Sequence, residues 1–265
     1  MIVWRSVSYG PSKGLLHGTI TTMTDPDIDD LFAPIAPSAA FGVMLNEARD
    51  VLRQVRQPVD AELWGSDMLG AFTRAADTPE GREDLMAELA ATLVPAAEEA
   101  ATPESLALLR IFSALGSSEL RKAANDSAER LAASGIPDRP WATELGAPKT
   151  GECWHYSDVN GQQESVTMTF AYGERVHALS VLIDHHRGGK LRDAWASDAA
   201  GLLDKTFMAA ETDPTVVFGR LEAKDALDRI RKALEAGEAP EQPDQADSIR
   251  AHRALIRARL DHATS

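Results

Sequence analysis

The stretch Val176-His-Ala-Leu-Ser-Val-Leu-Ile-Asp-His-His-Arg-Gly-Gly-Lys190 decides how the chain is read. Its apolar, β-branched first part reads as a strand that ends in two histidines. Gly188 and Gly189, set between Arg187 and Lys190, mark a tight turn. Just upstream, residues 153–158 and 166–172 alternate apolar and polar side chains. Asn160-Gly161 is placed for a type I′ turn between them, and Gly173-Glu174 for a second turn into residues 176–184. Three strands joined by two tight turns predict an antiparallel meander. Residues 215–221 add a short fourth strand.

Working outward, the downstream side reads as helical. Leu191, Trp195, Leu202 and Phe207 are spaced for a helix over 190–208 that covers one sheet face, and Ala223, Leu227, Ile230 and Leu234 for another over 222–236. An α+β domain therefore spans 151–236. Residues 237–246 read as a mobile acidic linker, and 247–265 as a C-terminal helix carrying Arg250, Arg253, Arg257 and Arg259.

On the upstream side, the Pro-containing segment 136–150 reads as a boundary, and before it the period is helical. Ser38 caps a helix with Phe41, Met44, Leu45, Ala48, Leu52 and Val55, which Pro58 ends. Asp60 caps a second with Leu63, Trp64, Met68, Leu69 and Phe72 facing inward. Thr78-Pro79 and Thr102-Pro103 are strong helix starts, and Ser118 opens a last helix before Gly135. Residues 38–136 thus predict an antiparallel helical bundle. Residues 1–37 read as a largely irregular arm, in which Met23 is an alternative start. The fold class is α+β, a helical bundle followed by a small three- to four-stranded antiparallel meander packed with helices.

Apolar residues make up 44% of the 265, enough for a substantial core, and the formal charge is -14. Such a surface repels phosphate backbones, so nucleic-acid binding is disfavoured. Cys153 is the only cysteine, which leaves no intrachain disulfide and fits a reducing cytoplasm. The uncharged run 31–45 contains Pro34 and Pro37 and is shorter than the ~20 residues of a membrane span. Arg5 and Lys13 have no apolar segment between them, so no secretory signal is expected.

Cys153, His155, His177 and His185 share one sheet face. However, the two tight turns set His155 level with Val166 and Val181, four residues from His177 and from His185. That spacing is ~13 Å, too far for one ion. Only Asp184, His185 and His186 can cluster, as weak metal or catalytic candidates; no metal or cofactor is expected. Arg187, Gly188, Gly189 and Lys190 form an anion-binding candidate, with backbone N–H groups and the positive end of a helix starting near Lys190.

The triplet Asp184-His185-His186 after an apolar strand, with the early run Asp25-Pro26-Asp27-Ile28-Asp29-Asp30, resembles the DHH phosphoesterases, a family that implies paired manganese ions and phosphodiester cleavage. The family's serine-containing continuation of the early motif and its late glycine-histidine motif are missing here. Trp141-Ala142, Gly151-Glu-Cys-Trp154, Asp158-Val159-Asn160-Gly161 and the 177–194 run make residues 130–235 similar to a group of uncharacterised actinobacterial proteins. That resemblance implies a bacterial cytoplasmic origin. The leading expectation is a non-enzymatic interaction or regulatory protein with a protein partner. The rivals are a metal- or anion-dependent hydrolase using the Asp184–Lys190 loop, and weak nucleic-acid binding through the Arg-rich final helix.

Overall fold

The computed structural model describes residues 48–76, 78–199 and 213–263. The expected N-terminal arm, Met23, the 25–30 acidic run and the first part of the 38–55 helix lie outside these residues. So does the 200–208 part of the helix expected after Lys190.

The helical part comprises α1 (48–54), α2 (Pro58–Phe72), α3 (Pro79–Ala100), α4 (Pro103–Leu115) and α5 (Ser118–Ala133). Their starts follow from their caps. The Thr78 hydroxyl accepts from Gly81 N at 3.1 Å, and Thr102 and Ser105 form a reciprocal box, each side chain accepting from the other's backbone N–H. The helix before Pro58 stops at residue 54, as expected, but the next one begins at Pro58 itself and not at a cap on Asp60, since the missing N–H of Pro58 costs nothing at the first helical position.

A second correction concerns the buried face of α2. Leu63, Trp64, Met68 and Phe72 are only partly buried, whereas the fully buried stripe is Ala61, Glu62, Gly65, Ser66, Leu69 and Gly70. Small residues there let neighbours approach. A Cβ on Gly70 would stand 2.4 Å from the carbonyl oxygen of Arg250, and one on Gly65 2.2 Å from Ile111 Cγ2. The Ser66 hydroxyl donates to Ala251 O at 2.6 Å and accepts from Leu255 N at 3.1 Å, which pins α2 against the C-terminal helix.

The sheet has five antiparallel strands, β1 (Lys149–Asp158), β2 (Gln163–Tyr172), β3 (Arg175–Asp184), β4 (Lys190–Asp198) and β5 (Val216–Leu221), in the order β4-β3-β2-β1-β5. The expected register holds, with His155 opposite Val166 and Val166 opposite Val181. The helix expected from Lys190 is instead β4. One step on β3, from Leu182 to Ile183, spans two on β4, from Asp193 to Leu191. Arg192 is therefore an extra residue, and this bulge breaks the two-residue alternation that would have marked a strand.

Among the described residues two more helices follow, α6 (Ala223–Ala236) and α7 (Pro243–His262). The expected linker is shorter than 237–246, because α7 starts at Pro243, and it is bound to the sheet. Leu191 N donates to Gly237 O at 2.9 Å and Ala239 N to Leu191 O at 2.8 Å. The segment thus satisfies the backbone groups of Leu191 at the start of the open edge of β4. One face of the sheet (Val166, Met168, Phe170, Leu179, Val181 and Ile183) joins Ala226 and Ile230 of α6, Ile249 and Ile256 of α7 and the bundle residues Leu106, Ile111 and Phe112 in a single buried cluster. Among the described residues, no helix is long and apolar enough to cross a membrane.

Candidate functional site

The turn between β3 and β4 holds the sequence-predicted residues, and its hydrogen bonds are mostly internal. Asp184 is 3% exposed, and its side chain accepts from Arg187 N at 3.1 Å. Its carbonyl accepts from Gly189 N at 2.9 Å, and His185 O accepts from Gly188 N at 3.2 Å. Gly188 and Gly189 have φ of +82° and +75°, a conformation that favours glycine. Arg187 lies between Asp184 and Glu241, and Arg192 reaches the same two carboxylates. Lys190 opens β4 opposite Asp184, and His186 is exposed. Because a strand follows this turn, the expected helix dipole does not act on it.

His185 leaves the turn toward the sheet. Its Nε2 stands 3.2 Å from Glu164 Oε2, while His155 Nδ1 lies 3.5 Å from Glu164 Oε1 and Arg229 of α6 donates to the same carboxylate. Gly219 on β5 makes room for this arrangement, since a Cβ there would come within 2.9 Å of His155 Nε2. Glu164 and Arg229 were not singled out in the sequence. The signal was available: Glu164 has the same strand parity as Val166 and Met168, so alternation sends it to the buried face.

His177 belongs to a different cluster, at the other end of the same face. Glu62 of α2 and Arg259 of α7, 0% and 2% exposed, form a two-pronged ion pair; the prong from Nη1 to Oε1 measures 3.1 Å. Tyr172 donates its hydroxyl proton to Glu62 Oε1 at 2.7 Å, and Gly146 N donates to the same oxygen at 2.9 Å. His177 Nε2 lies 3.5 Å from Arg259 Nη2, which suits a neutral ring accepting from the guanidinium. Burial and the Arg259 charge hold the His177 pKa down to about 4. This network joins bundle, sheet and C-terminal helix. Its four side chains are all buried.

The four-ligand constellation does not assemble: His155 and His185 meet at Glu164, His177 lies with Arg259, and Cys153 is buried. Burial, with the Glu222 carboxylate adding to it, pushes the Cys153 thiol up to about 11, which suits a small core residue. Among the described residues no group of three or more histidine, cysteine, aspartate or glutamate side chains is placed to hold a metal ion. The remaining C-terminal arginines divide by face: Arg250, Arg253 and Arg257 line a cleft between α7 and the bundle, opposite in role to Arg259. Comparison of the chain with protein-family models, with curated proteins and with solved structures finds no match.

Proposed function

We propose that the protein is a non-enzymatic interaction or regulatory protein of the bacterial cytoplasm, with a protein rather than a nucleic acid as its partner. The observation that carries this reading is the state of Asp184. A hydrolytic triplet needs a carboxylate free to hold a metal or take a proton. Asp184 is buried, accepts from the Arg187 backbone and lies between Arg187 and Arg192. Its work is to shape the turn. The net charge of -14 argues against a nucleic-acid partner.

One contact favours the hydrolytic rival: the His185–Glu164 pair at 3.2 Å, a histidine and a carboxylate within proton-transfer distance. The two readings separate in a panel of phosphodiester, phosphomonoester and carboxylic-ester substrates supplied with manganese or zinc. The interaction reading expects no turnover that depends on His185 and His186. Turnover that disappears in a His185→Ala/His186→Ala variant of unchanged melting temperature would overturn it.

A further inference from the structure

A cleft of about 600 Å³ opens where the first turns of α3 and α5 meet the outer face of α7. That volume lies in the usual range for small-molecule sites. Five arginines line it, Arg82 from α3, Arg121 from α5 and Arg250, Arg253 and Arg257 from α7, against the three carboxylates Glu83, Glu119 and Asp261. Such a concentration of guanidinium groups runs against the charge of the whole chain.

Part of this charge is compensated. Arg121 pairs with Asp261 at 3.1 Å, Arg250 with Asp247 and Arg253 with Glu238. Arg82 and Arg257 have no ion-pair partner among the described residues. The Nε groups of Arg121 and Arg253 are buried without an acceptor, and an orphaned donor of this kind carries an unfavourable desolvation cost. Burial, with the neighbouring Arg82 and Arg257 charges, lowers the Arg253 pKa to about 10. Three cations held within reach of one another want an anion between them.

The donors point to the chemistry of that anion. Arginine presents a planar fork that matches phosphate oxygens two at a time; Arg82 and Arg257 offer unpaired forks, and the paired Arg121, Arg250 and Arg253 keep N–H groups beyond those their carboxylates accept, together more donors than a single phosphate takes up. The N-terminal turn of α5, Ser117 to Glu119, adds the positive end of its dipole at the rim. We propose that this cleft binds a small ligand carrying two or more linked phosphate groups. Binding would join α7 to the bundle across the cleft. The inference stands apart from the interaction reading above, since a small ligand can be held whether or not a protein partner exists.

The test is calorimetric titration of the full chain with inorganic tripolyphosphate, with an oligoglutamate peptide as the competing anion. The expected result is saturable one-to-one binding, weakened about tenfold or more in an Arg82→Gln/Arg257→Gln variant and unchanged in an Arg187→Gln/Arg220→Gln variant, which removes the same charge outside the cleft. Unaltered melting of the double variant keeps a folding defect out of the comparison. Absence of saturable binding, equal binding by the double variant, or a preference for oligoglutamate over tripolyphosphate would each overturn the proposal.

Discussion

Arginines on two faces of α7 do opposite work. Arg259 faces inward, 2% exposed, with both prongs on Glu62 and the Phe170 and Tyr172 rings beside it at 5.2 and 5.8 Å. Arg257, two residues earlier, is exposed on the cleft and has no ion-pair partner among the described residues. The first is fixed by everything around it, so its removal strands a buried carboxylate. The second is held near other cations with nothing to neutralise it, so its removal relieves repulsion. Residue type alone predicts neither behaviour; burial and the count of partners do.

The sharpest way to break this comparison is to remove the inner charge. Arg259→Met leaves Glu62 buried with only Tyr172 and Gly146 N as partners, and stability is expected to fall by about 3–5 kcal/mol in denaturant titration. Adding Glu62→Leu to that variant should recover much of the loss, because no charge is then left unpaired. A loss under ~1 kcal/mol for the single change would put Arg259 in the same class as the cleft arginines.

A smaller effect follows from His177, which accepts from Arg259 only while neutral. Its folded pKa, about 4, lies below the ordinary value of 6.5, so its contribution is present above 6.5 and is lost as the pH falls from 6.5 through 4. At pH 5 this amounts to about 2 kcal/mol. His177→Phe should therefore flatten the fall in melting temperature between pH 7 and pH 5 relative to the parent. Parallel curves for the two proteins would show that the ring is not held neutral by its surroundings.

Smaller again is the effect expected at Gly70, which sets the α2–α7 approach along one wall of the cleft. Gly70→Ala gains about 1 kcal/mol in helix propensity but drives a methyl into the Arg250 carbonyl, and a net loss of about 1–2 kcal/mol is expected from thermal melts. A stabilised variant would mean that the helices part at little cost.

The meander was legible because its signals are local. Asn160-Gly161 and Gly173-Glu174 set the turns, alternation set the faces, and the registers of His155, Val166 and Val181 followed. β4 was not legible, because the Arg192 bulge interrupts the alternation and the alanines at 194 and 196 suit a helix equally well. The buried face of α2 was hidden for a related reason: a search for large apolar residues passes over Gly65, Ser66, Gly70 and Glu62. Glu62 and Arg259 stand 197 residues apart and each reads singly as a surface charge. Only the spacing of Arg259, three and four residues after Ile256 and Leu255, placed it on the inner face of α7. The arginine cleft could not be read at all, since it is assembled from the first turns of α3 and α5 and the outer face of α7, whose packing no local pattern encodes.

The measurement that bears most directly on this account is a set of thermal melts of the parent, Arg259→Met and Arg82→Gln/Arg257→Gln proteins, with and without tripolyphosphate. The account predicts that Arg259→Met melts far below the parent without ligand. It predicts that the double variant melts with the parent, within about 0.5 kcal/mol, but loses the stabilisation that tripolyphosphate gives. A double variant destabilised as deeply as Arg259→Met, or one still stabilised by tripolyphosphate, would contradict the division of labour between the two faces of α7.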